Sequence, residues 1–449
     1  MEQNMNLKDI RTCYFVGIGG IGMSAIARYF NRIGIAVHGY DKTETKLTKT
    51  LVSEGIHIHY EDDLTKIPTG VDLVVYTPAV PATLGELQYL KSQGLPIKKR
   101  AEVLGIISRG RKTIAIAGTH GKTTTTTITT HLLREGGIDC SAFLGGIAQN
   151  YGSNFIAGKS EWVVVEADEY DRSFLQLSPD IAAILSMDAD HLDIYGDKEN
   201  MLETGFKAFA RKLGPEGELW VRQDLQSHFP HAHTFGLETG EAKSSQIAVE
   251  EGFFTFDYNG PKGEIKGLKF TLPGRHNIEN ATVAITIALG LGVKPAAIRQ
   301  ALMTFKGIKR RFDIIHRSEE VVYIDDYAHH PTELKAAIQA ARQLFPGRHI
   351  CGIFQPHLYS RTRDFVDGFA EALDGLDEPI LMDIYPAREL PIPGVTSMMI
   401  LERMKNKHKR LLAREDILPY LQANKVDVLL TLGAGNIDQL IEPISSLLS

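Results

Sequence analysis

The chain has 449 residues, of which 43% are hydrophobic and 23% charged, with a formal net charge of −6. That length exceeds what one core uses and predicts two to four domains of ordinary globular composition. A mildly acidic chain has no overall electrostatic reason to hold nucleic acid or an anionic membrane surface, so any phosphate site has to be local.

The start Met1-Glu2-Gln3-Asn4 is polar and lacks the apolar stretch of a secretion signal. No apolar run approaches the ~18 charge-free residues of a membrane span. Cys13, Cys140 and Cys351 lie far apart without a CxxC pairing. That spacing argues against a zinc site or a disulfide framework and fits a reducing compartment. A cytoplasmic protein that enters no membrane is expected.

Strand-like apolar runs alternate with amphipathic stretches along the whole chain, which is the α/β pattern. The first segment opens with the strand Thr12-Cys13-Tyr14-Phe15-Val16 and carries on to about residue 107, with further strands predicted at 36–40 and 72–76. Gly17-Ile18-Gly19-Gly20-Ile21-Gly22 stands between the first strand and a helix predicted over 23–33. In that context G-x-G-x-x-G lets the backbone approach a diphosphate, and the helix start supplies amide donors. Asp41 follows Gly22 by 19 residues, where a ribose-binding acid belongs. Alone, the motif reads as an NAD domain. A glycine turn with only a packing role is the alternative, and the motif does not name the nucleotide.

The second segment begins after the basic turn Ser108-Arg109-Gly110-Arg111-Lys112 with the strand Thr113-Ile114-Ala115-Ile116-Ala117. This strand runs into Gly118-Thr119-His120-Gly121-Lys122-Thr123-Thr124, a glycine turn entering a helix. Its amides can wrap phosphates, Lys122 can neutralise them, and the Thr123 hydroxyl can ligate Mg²⁺. The spacing is shorter than G-x-x-x-x-G-K-[ST], because position 116 is Ile. The predicted strand Val163-Val164-Val165 ends in Glu166, Asp168 and Glu169, and one such acid can hold the ion. A second strand, 181–186, leads to His191 among Asp188, Asp190 and Asp193, a candidate ligand for a second ion. A solvated acidic loop and a structural histidine are the plain alternatives. Residues 215–272 are rich in glycine, aromatic and alternating residues and predict an antiparallel insert. A third segment opens with Val321-Val322-Tyr323-Ile324 and closes with the strand at 426–432.

The shortened phosphate loop resembles that of the Mur ligase family. Three further stretches resemble the family in order: 272–281, which contacts the adenine end of ATP there; 305–313, the hinge into the third domain; and 324–333, that domain's entry loop. The resemblance spans all three segments. It implies an α/β fold of three domains: an N-terminal Rossmann-like UDP-sugar domain (1–107), a central P-loop ATPase-type domain for ATP (108–313), and a C-terminal Rossmann-like domain for the amino acid (314–449). It also implies an ADP-forming ligase of peptidoglycan synthesis that uses ATP and Mg²⁺, with Mn²⁺ as the alternative ion. Residues 17–24, 325–331 and 354–364 point within the family to joining L-alanine to the lactyl carboxylate of UDP-N-acetylmuramate. The alternative is a ligase that recycles a murein tripeptide onto the same sugar, which lacks the run Tyr359-Ser360-Arg361-Thr362-Arg363.

Residue roles follow from the same resemblance. Gly17, Gly19, Gly20, Ile21 and Gly22, with Asp41 and Thr77, are expected to bind the UDP-sugar. Gly118, Thr119, His120, Gly121, Lys122, Thr123 and Thr124, with His276, Asn277, Asn280, Arg311 and Asp326, are expected to bind ATP. Thr123, Glu166 and His191 are the expected metal ligands. Tyr327, His329, Arg361 and Arg363 are expected at the amino acid, and the catalytic set is Lys122, His191, His329 and Arg361. Asn277 and Asn280 suit adenine because an amide donates and accepts at once, although Asn280 reads equally as a helix cap. His329 is the expected base or orienter for the alanine amine. His330 serves equally in that role, or starts a helix before Pro331. A monomer or homodimer is expected.

Overall fold

A computed structural model describes residues 7–188, 195–387 and 389–448. Contacts divide the chain into two compact units. One comprises Met1–Lys243, Asn259–Gly263 and Asn280–Ala301; the other comprises Ser244–Tyr258, Glu264–Glu279 and Leu302–Ser449.

In the first unit, β1 (Thr12–Val16), β2 (Ala36–Tyr40), β3 (His57–His59), β4 (Leu73–Tyr76) and β5 (Ile97–Lys99) form a parallel sheet in the order β3-β2-β1-β4-β5. β1 and β4 read as continuous apolar runs because helices cover both faces of a parallel sheet. The chain order reverses between β1 and β4, and the crevice beyond their C-terminal ends is where such sheets hold ligands. The sequence pattern marks β1, β2 and β4 but not β3 or β5. Those edge strands have three residues each and bury none of them fully, too little for a periodic signal.

The same unit holds a second sheet. β6 (Lys112–Ala117), β7 (Ser141–Ala148), β8 (Ser153–Ile156), β9 (Trp162–Ala167), β10 (Ile181–Ile184), β11 (Glu218–Arg222) and β12 (His233–Leu237) lie in the order β12-β11-β10-β6-β9-β7-β8. All pair in parallel except the edge strand β8, which runs antiparallel to β7. β6 sits between β9 and β10, so the C-terminal ends of these three strands meet. Phe15, Phe30, Val75, Val165, Ile184 and Phe206 belong to one buried cluster of this unit. The threonine-rich run lies in the helix Lys122–Glu135. There the hydroxyls of Thr126, Thr127 and Thr130 donate to the carbonyls of Lys122, Thr123 and Thr126 at 2.8, 2.7 and 2.7 Å. These three hydroxyls are therefore buried without losing a partner.

Largely in the second unit, β13 (Ala242–Glu250), β14 (Phe253–Gly260) and β15 (Gly263–Phe270) are successive neighbours joined by two-residue turns, a meander. The antiparallel insert expected over 215–272 is thus confined to its later part, since β11 and β12 are parallel strands. Trp220 and Val221 are buried on opposite faces of β11, the mark of a covered strand and not of a half-exposed hairpin. The third sheet contains β16 (Asp313–Arg317), β17 (Val322–Asp326), β18 (Ile350–Phe354), β19 (Glu378–Leu381), β20 (Arg410–Leu411) and β21 (Val428–Leu432), in the order β16-β17-β21-β18-β19-β20. All pair in parallel except the edge strand β16. Its core includes Tyr323, Ile353, Ile417 and Leu429. Among the described residues, no helix is long and apolar enough to cross a membrane.

Candidate active site

The loop after β1 turns through Gly17, at φ +84°, and the N–H groups of Gly17 and Ile18 donate to Tyr40 O at 2.8 and 3.1 Å. Gly19 N–H donates to Asp41 Oδ2 at 2.7 Å. A Cβ on Gly17 would lie 2.8 Å from Thr77 Cγ2. The glycine loop, Asp41 and Thr77 therefore share the switch point of the first sheet. Gly20 precedes the helix Ile21–Arg32, whose first turn has no acid and no side-chain cap. That amide end suits an anion, and Gly19 and Gly20 leave the loop bare of side chains. A Cβ on Gly22 would lie 2.9 Å from Arg100 Nη1, and Arg100 Nη2 pairs with Asp168 Oδ2 at 3.2 Å. Arg100 was not singled out by the sequence, because a basic residue at a helix start carries no pattern.

The second loop, after β6, contains Gly118 to Gly121 and feeds the helix Lys122–Glu135. Lys122 Nζ donates to Gly118 O at 2.6 Å and pairs with Glu169 Oε2 at 2.8 Å. Burial works against this ammonium, but Glu169, Asp168 and Glu166 outweigh it and hold its pKa above the ordinary lysine value. Thr123 Oγ1 donates to Glu166 Oε2 at 2.8 Å, and Thr124 is buried beside it in the helix. Thr119 Oγ1 lies 3.0 Å from Ser186 Oγ and accepts from Asp188 N–H at 3.0 Å. His120 N–H donates to Ser186 Oγ at 2.8 Å, and its ring meets Asp188 at 3.1 Å. Asn280 belongs here too, since a Cβ on Gly121 would lie 2.8 Å from Asn280 Oδ1. The sequence named Glu166 but not Glu169 as a partner, although both stand in one acidic stretch. Ser186 ends a predicted strand and gave no chemical signal of its own.

Among the described residues, no group of three or more His, Cys, Asp or Glu is placed to hold a metal ion. His191 lies outside the described residues. The pair that is described, Thr123 and Glu166, offers two hard oxygen donors, and Gly145 N–H holds the carboxylate at 2.9 Å. A Cβ on Gly145 would come within 2.2 Å of Glu166 Oε2, so the carboxylate occupies a close-fitting cradle. This donor set fits Mg²⁺, which takes one or two protein oxygens and completes its shell with phosphate oxygens and water.

In the second unit, the C-terminal ends of β17, β21 and β18 gather another cluster. Asp326 accepts from Phe312 and Ala328 N–H at 2.7 Å each. Burial pushes its carboxyl up to about 6, against the pull of Arg311 and those two amides. Arg310 and Arg311 stand 5.2 and 5.1 Å from the Tyr327 ring. His329 Nδ1 lies 3.0 Å from Tyr327 O and 3.3 Å from Glu333 Oε2. Both partners accept, so a neutral ring carries its proton on Nδ1 and leaves the Nε2 lone pair bare. Burial pulls this imidazole down to about 4, with Glu333 opposing. The His329 ring is 6.0 Å from that of His357, whose Nδ1 is 3.5 Å from Arg361 Nη1. Tyr327, His329 and buried Arg361 are thus brought together, with Glu333 and His357 as members that the sequence did not single out. Arg363 is not: it is exposed and paired with Asp364 at 2.7 Å. His330 caps the helix Pro331–Leu344 and packs on Phe365, which is the helix-start reading of that residue. His276 is exposed at the start of the helix Arg275–Gly290, and Asn277 Nδ2 donates to Pro273 O at 2.5 Å.

Three family models match the chain in succession: the Mur ligase family catalytic domain over 12–112, the Mur ligase middle domain over 116–288, and the glutamate ligase domain of Mur ligases over 310–435. A UDP-N-acetylmuramate–L-alanine ligase of Flavobacterium johnsoniae is 48% identical, with 99% of each chain covered. One of the same name from Porphyromonas gingivalis is 47% identical over 98% of this chain and 99% of its own. The crystal structure of the UDP-N-acetylmuramate–alanine ligase of Thermotoga maritima superposes with a TM-score of 0.84 at 29% identity, over 97% of this chain and 99% of that one. A murein peptide ligase structure from Psychrobacter arcticus shares the fold at a TM-score of 0.71 and 23% identity, over 97% and 98%. With glycine-rich loops following parallel strands in two successive sheets, three family models matched in order and relatives aligned end to end, the chain belongs to the Mur ligase family.

Proposed function

We propose that the protein is an ATP-dependent ligase that forms the amide between the lactyl carboxylate of UDP-N-acetylmuramate and L-alanine, in peptidoglycan precursor synthesis. The observation that carries this reading is the 48% identity, over 99% of each chain, to a ligase of that name. The lactyl carboxylate attacks the γ-phosphorus of ATP and ADP leaves. The alanine nitrogen then attacks the carbonyl carbon of the acyl phosphate, phosphate leaves, and the amine gives up its proton.

Residues 1–107 hold the UDP-sugar, 108–313 ATP, and 314–449 the amino acid. The glycine loop and the amide end of the helix Ile21–Arg32 take the diphosphate, with Asp41 and Thr77 at the nucleoside. Lys122 and the amides of 118–123 neutralise the ATP phosphates as charge moves onto the leaving ADP. Thr123 and Glu166 would hold Mg²⁺, which when bound screens the repulsion between phosphate and attacking carboxylate. His329 orients the alanine amine by accepting from it at Nε2, and Arg361 pairs with the alanine carboxylate. An imidazole with a pKa of about 4 is a weak base, so positioning is its main task and the proton passes onward to solvent. The cytoplasm, where ATP and the nucleotide sugar are found together, is the proposed location.

Phosphate release from ATP with UDP-N-acetylmuramate tests the reading. Release that requires L-alanine is expected. Release that requires L-Ala-γ-D-Glu-diaminopimelate instead would move the protein to the tripeptide-recycling reaction. Release with neither would refute the ligase reading.

A further inference from the structure

The hairpin of β7 and β8 touches both phosphate sites of the first unit. In β7, Gly145 N–H donates to Glu166 Oε2 at 2.9 Å. On the neighbouring strand β8, Asn154 is fully buried and spends its whole amide on the helix that follows the glycine loop. Its Nδ2 donates to Ile21 O at 2.6 Å and to Ser24 Oγ at 2.9 Å, and its Oδ1 accepts from Arg28 Nη1. A guanidinium can only donate and a carbonyl only accept, so one amide orientation alone satisfies all three partners. Arg28 is itself buried and held by Glu54, with Nε–Oε2 and Nη2–Oε1 at 2.8 and 2.7 Å. Phe143 and Phe155, opposite each other in the hairpin, pack 5.1 Å apart, and both face Tyr29 of the same helix at 5.7 and 5.8 Å.

The aromatic trio supplies adhesion between hairpin and helix. The amide adds something an apolar contact does not: it fixes the first turn of the helix at one rotation and one height against β8, because a small slip would break three buried hydrogen bonds together. The helix turn it fixes is the diphosphate end, and the hairpin it is fixed to positions the carboxylate beside Thr123.

We infer that Asn154 is a positioning residue that couples the two sites, so that filling the glycine loop with the UDP-sugar tightens binding of the Mg²⁺-nucleotide at Thr123 and Glu166, and the reverse by the same factor. This rests on the ligase reading for the identity of the two ligands. Coupling of this kind is reciprocal.

The test is calorimetric binding of Mg²⁺-ADP, which does not react forward, to the full-length protein alone and saturated with UDP-N-acetylmuramate. The native protein is expected to bind Mg²⁺-ADP at least about fivefold more tightly with the sugar present. In Asn154→Ala that ratio falls to about one. Ser24→Ala, which removes one of the three partners and leaves Arg28 and Ile21 paired, gives an intermediate ratio and covers the case in which Asn154→Ala does not fold. A residue that only stabilises the fold would shift both dissociation constants and leave their ratio intact. A native ratio within twofold of one, or a native ratio retained in the variants, overturns the inference while leaving the ligase reading standing. Failure of the native protein to bind UDP-N-acetylmuramate at all would sink both.

Discussion

At His329 the chemistry and the stability of the third sheet's cluster meet in one side chain. The ring is half-buried between Tyr327, Glu333 and His357, and burial lowers its pKa to about 4. A histidine whose folded pKa lies below its unfolded value, about 6.5, sheds its proton on folding. Its contribution is therefore complete above pH 6.5 and is lost as pH falls from there toward 4, by about 3 kcal/mol. Urea unfolding of the native protein and of His329→Gln at pH 7, 5.5 and 4.5 should show the native protein losing more stability than the variant across that window. Parallel losses would place the acid sensitivity elsewhere. At this scale the sequence offered the residue types but not their division of labour. His329 and His330 are identical neighbours in the sequence, and only the backbone decides that one faces the cluster while the other caps a helix against Phe365. Glu166 and Glu169 likewise share an acidic run, yet one holds Thr123 and the other Lys122.

At the scale of elements, the site depends on strand ends and on the glycines that let strands approach them. Long apolar runs were legible: β1, β6, β9 and β21 stand where buried-strand patterns placed them. Short edges and strand direction were not, because three-residue strands carry no period and a parallel partner leaves no mark on a single strand, as β11 shows. Gly145 is a case in which one missing Cβ has a chemical consequence. A methyl there would sit 2.2 Å from Glu166 Oε2, inside any tolerable contact, and would push the carboxylate away from Thr123. Gly145→Ala is expected to weaken Mg²⁺-dependent nucleotide binding about 10- to 100-fold, while UDP-sugar binding alone stays within about threefold of native, a margin of roughly 0.7 kcal/mol. Calorimetric titrations of each ligand check both halves, and unaltered Mg²⁺ dependence would remove Glu166 from the proposed ion site.

For the whole molecule, the arrangement of binding groups on separate sheets predicts that one function can be deleted without the other. The glycine loop ends β1 in the first sheet, whereas Lys122 follows β6 in the second. Lys122→Ala alone is a poor probe, because Glu169 is fully buried and would lose its ammonium partner, at a cost of about 3–5 kcal/mol. Lys122→Ala combined with Glu169→Gln removes both charges together and keeps the fold testable. In that double variant, turnover should fall at least about a hundred- to a thousandfold, the usual loss when a main electrostatic stabiliser of the transition state is removed. UDP-N-acetylmuramate at about 100 times its dissociation constant should still stabilise the protein by about 2.7 kcal/mol in thermal unfolding, as in the native chain, while the stabilisation by Mg²⁺-ATP should disappear. If the double variant instead loses the shift caused by the UDP-sugar and keeps the one caused by Mg²⁺-ATP, the two loops have been assigned to the wrong ligands. If it loses both while its ligand-free melting temperature is unchanged, the two sheets do not bind their ligands separately.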